Sequence, residues 1–191
     1  MFGWLLARAD RLHGVWGLPR AEDGWLQPVN GFYRLTRGTF AQFGLPVPHP
    51  EAAIDTLLAH TRDRRFFGTS RGNACNVLDV IHPLWLCGGQ TDYRRGEAQA
   101  WAAVQLGRVL ARWVDGRGFS FDLELGEAPS GQPSLQGTEM WLAVTYLLAE
   151  VLGQSQHLGY RPQGVHRLEP AWRLPGLGVS DAVLDVRSPG A

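Results

Sequence analysis

The chain has no lysine; all 18 of its basic residues are arginine. That excludes Schiff-base chemistry through an ε-amino group and any phosphate loop built on a lysine. It also has no excess charge of either sign. The 18 acidic residues balance the basic ones, so neither a nucleic-acid backbone nor an anionic membrane surface is expected as a partner. Cysteine is scarce, with only Cys75 and Cys87. Both fall in one apolar run read as helix. At a rise of about 1.5 Å per residue they stand roughly 18 Å apart, against a disulfide limit of about 7 Å between Cα atoms. Free thiols place the protein in a reducing compartment, the cytoplasm. The opening segment MFGWLLARADRLHG is broken by Arg8 and Asp10 and is too short for a signal peptide or a membrane span.

What is present is enough for one real core: 191 residues, 45% of them hydrophobic, including eight tryptophans. So many tryptophans read either as large core residues of a helical repeat or as the wall of an aromatic cavity. A Gly-aromatic turn occurs three times: Asp23-Gly24-Trp25, Arg65-Phe66-Phe67-Gly68 and Asp115-Gly116-Arg117-Gly118-Phe119. The spacings, about 43 and about 52 residues, are those of a two-helix repeat that must stack on neighbours to bury its apolar face. Residues 1–153 are therefore read as an α/α-hairpin repeat domain. Residues 154–191, rich in Pro and Gly, form an irregular tail packed on it or trailing from it.

Hydrophobic periodicity predicts the end of a helix over 2–12 and helices over 31–43, 51–63, 74–87, 95–114 and 136–152. Pro50 suits a first helical turn and Gly153 a C-terminal cap. The helices after each Gly-aromatic turn (31–43, 74–87, 136–152) are the more hydrophobic. Those between them (51–63, 95–114) are amphipathic. A helix that is apolar all round must be covered on all sides, and an amphipathic one covers it from outside. This alternation describes inner and outer helices of a hairpin array. A four-helix bundle would want equal amphipathicity throughout.

The stretch Gly38-Thr39-Phe40-Ala41-Gln42-Phe43-Gly44-Leu45-Pro46-Val47-Pro48-His49-Pro50-Glu51, then Ile54-Asp55-Thr56-Leu57-Leu58 and Phe66-Phe67-Gly68, resembles one repeat of the α/α-toroid proteins. It is nearest to the prenyltransferase and squalene-cyclase kind, and six-hairpin glycosidases share the same toroid. Arg95 to Phe121, closing on GRGFSF, resembles the second half of another repeat. The resemblance implies an all-α fold, a partial α/α toroid of about three helical hairpins with an irregular C-terminal tail. It also implies a site lined by the inner helices. The Asp-x-Asp-Asp acid motif of the triterpene cyclases is absent. A full toroid needs about twice as many hairpins, so missing N-terminal repeats or a homodimer would complete it.

The inner helices hold few polar residues, and these are the site candidates. Asn76, Asp79 and His82 share a face through i, i+3 spacing. Asp79 can orient His82 as an acid/base pair, and Pro83 should bend the helix beside them. Glu139, read as lying in the first turn of helix 136–152, is the third catalytic candidate. A carboxylate there is also favoured by capping and the helix dipole alone. Arg34 and Arg37 could neutralise these carboxylates. Tyr33, Arg37, Asn76, Trp85 and Trp141 are the expected substrate contacts. Cys75, Asp79 and His82 are ligand types that zinc accepts, but a buried free cysteine is more often a small hydrophobe, and no metal or resident cofactor is expected. Gly68-Thr69-Ser70-Arg71-Gly72 matches a nucleophile elbow without the strand that such an elbow requires. His157, His166 and Glu169 read as surface residues of the tail, with a cavity mouth as the alternative place.

Three functions remain open on these grounds. One is a terpenoid-cyclase or prenyltransferase-like domain with an apolar, aromatic-lined cavity. Another is a carbohydrate-active, six-hairpin-glycosidase-like domain using Asp79 and Glu139 as paired carboxylates. The last is a non-catalytic helical-repeat binding module. The small-molecule partner is accordingly hydrophobic or carbohydrate.

Overall fold

A computed structural model of the chain describes residues 1–68, 71–124 and 128–171. Its helices are α1 (Phe2–Arg8), α2 (Leu26–Thr36), α3 (Pro50–His60), α4 (Arg64–Phe67), α5 (Ala74–Gly88), α6 (Arg95–Leu110) and α7 (Leu135–Val151). The described residues contain no strand, only isolated bridges such as Arg20 to Gly24 and Val114 to Gly118. The fold is all-α.

Local chemistry sets the boundaries. Pro50 opens α3 directly after His49, whose φ is 52°. Asn73 and Asn76 close a reciprocal capping box at the start of α5. Ser134 caps α7 by accepting from Gly137 N at 3.1 Å. At the other end of α7, Gly153 has φ of 70°. There Gly153 N donates to Glu150 O and Gln154 N to Ala149 O, a Schellman ending.

Several boundaries differ from the sequence reading: α1 ends at Arg8 rather than residue 12, and α3 at His60 rather than residue 63. The first inner helix begins at Leu26 rather than residue 31, because Pro28 falls in the first turn, where a missing N–H costs nothing. It then passes at Thr36 into a π turn, Arg37–Ala41. The Thr36 and Thr39 hydroxyls donate to the carbonyls of Phe32 and Leu35, at 2.8 and 2.6 Å, and Gly38 meets nothing within 4 Å. Back-bonding hydroxyls beside an unhindered glycine let the turn widen. Helix α6 stops at Leu110, short of residue 114. In the described part of the tail, residues 154–171, short 3-10 turns at Ser155–His157 and Gly164–His166 interrupt irregular chain.

Helix α5 lies at the centre, packed mainly on α7 and α2, with α3 behind it and α6 behind α7. The expected contrast between deeper and shallower helices holds for α6 and fails for α3. Helices α5 and α7 are well buried, whereas α6 buries only Ala98, Ala102, Gln105 and Val109. Helix α3 is the exception. It buries Ala53, Ile54, Thr56, Leu57, Leu58 and His60. The N-terminal segment covers its outer side: Thr56 donates to His13 O at 2.8 Å, and Gly14 lies against the α3 backbone. Gly14 has φ of 69°, and a Cβ there would sit 2.1 Å from Ala53 N, so only glycine fits.

Two apolar clusters result. One joins α1, α2 and α3 to one side of α5 around Phe32, Phe40 and Leu57, and the other joins the opposite side of α5 to α6, α7 and Tyr33 around Leu78, Trp141 and Leu147. Phe67 and Trp101 touch both. Cys75 and Cys87 are free, the first half-buried and the second buried. No helix among the described residues is long and apolar enough to cross a membrane.

Candidate functional site

The π turn at the end of α2 sets Arg37 over the ring of Tyr33, 5.2 Å from its centre. Tyr33 is buried, and its hydroxyl lies 2.9 Å from Nε2 of His166. His166 is also buried, held there by the short turn Gly164–His166 of the tail. On its other side Nδ1 faces Glu139 Oε1 at 3.7 Å, too long for a direct hydrogen bond but close enough for attraction. The carboxylate favours the proton on Nδ1, which leaves Nε2 to accept from the Tyr33 hydroxyl. Glu139, His166 and Tyr33 thus form a chain from solvent into the core, beginning at a carboxylate that is 63% exposed.

Asp79 reaches the same place from α5. It is 2% exposed. With its amide nitrogen turned inward, Asn30 donates to Leu26 O at 3.1 Å and to Asp79 Oδ2 at 2.8 Å. Burial raises the Asp79 carboxyl to about 7, and the guanidinium groups of Arg34 and Arg37 only partly offset it. The Tyr33 phenol is likewise pushed up to about 12 by burial, with the Arg37 cation opposing and Asp79 adding to the shift. Burial lowers His82 to about 3, and His166 and Arg37 push it the same way. His166 is also lowered, first by burial, with Glu139 opposing. The site therefore holds neutral imidazoles, a neutral phenol and a carboxyl poised to hold or release a proton near neutrality.

The sequence candidates divide on this geometry. Asp79, Tyr33 and Arg37 stand together, and Glu139 joins them through His166. His82 contributes its ring edge to Tyr33, at 5.3 Å between centres, and to Trp85 at 5.4 Å. Its Nδ1 has no hydrogen-bond partner among the described residues, so the expected Asp79–His82 pair does not form. Asp79 meets Asn30 instead, a residue that the late helix start had left outside α2. Glu139 is the fifth residue of α7, beyond the first turn, so capping does not explain it. Asn76 spends its Oδ1 on Asn73 N at 3.2 Å, closing the cap of α5. Trp141 is a core residue, 1% exposed, whose indole donates to Ser120 O at 2.9 Å. That bond and the α5–α7 packing enclose it.

Of the tail residues, His166 belongs to the site, whereas His157 and Glu169 are exposed, the latter paired with Arg161. No group of three metal-binding side chains occurs among the described residues. The Gly68–Gly72 motif has its central Thr69 and Ser70 outside them. A separate pocket of about 160 Å³ opens at the far ends of α5 and α7, with Trp85, Tyr93 and Glu150 among its lining residues. Asp79, Glu139 and His166 do not line it. Trp85 alone belongs to both neighbourhoods.

The chain was compared with family models, with curated proteins and with solved structures, and none matches.

Proposed function

We propose that the chain is an enzyme domain of the α/α-toroid type, working by acid/base chemistry on a polar, hydroxyl-bearing substrate of the carbohydrate class. The observation that carries this reading is the convergence of Glu139, His166 and Tyr33 with Asp79 and Arg37 where α2, α5 and the tail meet. Asp79, protonated up to about pH 7, is the proton donor. Glu139, reachable from solvent, is the second carboxylate and acts with His166 as the base. Tyr33 and Arg37 hold the substrate's oxygens. The polar character of the cluster favours a sugar over an isoprenoid, since a long hydrocarbon calls for an apolar cavity of several hundred Å³.

The helical array is read as an open arc of a toroid, functioning in the cytoplasm and completed by a second copy. The outward face of α6 supports this, leaving Val104, Leu110 and the neighbouring Trp113 exposed. A sedimentation experiment that finds only monomer at micromolar concentration would refute the dimer.

The test of the catalytic reading is release of nitrophenol from a panel of aryl glycosides, with aryl esters and prenyl diphosphates run beside them. Turnover of a glycoside, abolished in Asp79→Asn, is expected. Turnover of prenyl diphosphates alone, or equal activity in Asp79→Asn, would overturn it.

A further inference from the structure

The acid/base cluster is closed as it stands. Asp79 is 2% exposed, and the Tyr33 hydroxyl is already engaged by Nε2 of His166 at 2.9 Å. A substrate reaches Asp79 only if one of the surrounding elements moves. Helices α2, α5 and α7 each bury a row of core residues, so moving one of them breaks the close-packed apolar clusters. The remaining element is the tail, and it is held differently. Of residues 154–171, His166 alone is buried, and its neighbours Val165 and Arg167 are exposed. The segment is docked by a polar ring rather than by an apolar side chain.

The chain around His166 is a loop closed at its base. Arg161 pairs with Glu169 across the two ends. Just before the loop, Tyr160 donates to Leu142 O on α7 at 2.8 Å. Just after it, Pro170 packs beside Gly44, so close that a Cβ there would stand 3.0 Å from its Cγ. Between these anchors the turn Gly164–His166 packs on the π turn and carries His166 inward. Gly164 enables that turn with a left-handed φ of 65°. A surface loop with joined ends and one buried side chain opens at far lower cost than a helix in the core.

We propose that residues 161–169 form a hinged cover over the acid/base cluster, latched by the Tyr33–His166 hydrogen bond, and that substrate enters when the latch is released. The inference rests on the acid/base reading given above. Lifting the loop uncovers Asp79 and frees the Tyr33 hydroxyl for a substrate oxygen. Closing it returns His166 to the side of Glu139, so the base is complete only with the cover down.

The experiment is carbodiimide coupling of glycinamide to Asp79 in the full chain, read by mass. It measures how often the carboxyl is reached and needs no substrate. Thiol labelling of Cys87, buried on α5, measures global opening in the same samples. Tyr33→Phe removes the latch and should speed coupling at Asp79 about tenfold. Gly164→Ala, in the exposed part of the loop, brings a Cβ that meets nothing within 4 Å. It strains only the closed turn and should speed coupling about fivefold. Cys87 should label at the wild-type rate in both. Unchanged coupling at Asp79 in either variant, or Cys87 accelerated in step with Asp79, would overturn the cover. Failure of the glycoside panel would leave this coupling result standing, and an unchanged coupling rate would leave the catalytic reading to that panel.

Discussion

Replacing Asp79 by asparagine keeps the shape of the side chain and an oxygen for Asn30 to donate to, and removes the ionisation. In the folded protein the carboxyl is raised from 3.8 to about 7, chiefly because it is buried. A raised carboxyl contributes stability that is fully present below about pH 4 and is lost as pH climbs through about 7. At about 1.4 kcal/mol per pH unit, the loss across that window is about 4 kcal/mol. Asparagine does not titrate. The Asp79→Asn protein should therefore gain on wild type by roughly 3 kcal/mol between about pH 4.5 and about pH 8. His60 and His82, lowered to about 4 and about 3 by burial, destabilise both proteins equally as pH falls below 6.5 and cancel in the difference. Urea unfolding followed by tryptophan fluorescence at several pH values gives the two curves. A difference that stays constant with pH would refute the reasoning. It would mean that Arg34 and Arg37 outweigh desolvation and that Asp79 is an ordinary charged carboxylate.

Tyr33→Phe leaves Nε2 of buried His166 without a donor and should cost about 1–3 kcal/mol. It should also speed tryptic cleavage at Arg161 and Arg167, since Tyr33 is what ties that turn of the tail to α2; unchanged cleavage would mean that other contacts hold the tail. Gly14→Ala should destabilise by several kcal/mol, because it puts a Cβ into the α3 backbone at a left-handed position, and thermal unfolding reads the loss directly. Thiol titration should find two reactive groups after unfolding. In the native protein Cys75, half-buried, should react before Cys87, whose thiol burial pushes up to about 12.

The helices were legible because apolar periodicity is a local property of the chain, and α5, α6 and α7 run close to where it put them. Asp79 was legible for the opposite reason: a carboxylate inside an apolar helix needs a partner. Its partner was not. Asn30 lies just before residue 31, where the sequence reading began its helix, and Pro28 conceals the helix start at Leu26. His166 lies in irregular chain, where no periodicity separates a buried imidazole from a wet one, and it meets Tyr33 across 133 residues. Composition likewise could not sort the tryptophans. Trp141 turned inward to a backbone carbonyl, and Trp85 stayed half-exposed beside His82. Helix α3 proved deeper than its amphipathic pattern implies because His13 and Gly14, beyond the helix read over 2–12, pack on it.

The acid/base role of Asp79 is the centre of this account, and the pH dependence of kcat/KM for a glycoside turned over by the wild-type chain tests it most directly. A proton donor that ionises near 7 gives a rate falling about tenfold per pH unit above that point. Asp79→Asn should lose that limb together with roughly 10²–10⁴ of the rate. A wild-type profile that stays flat through pH 7, or an Asp79→Asn protein that keeps both the limb and the rate, would contradict it.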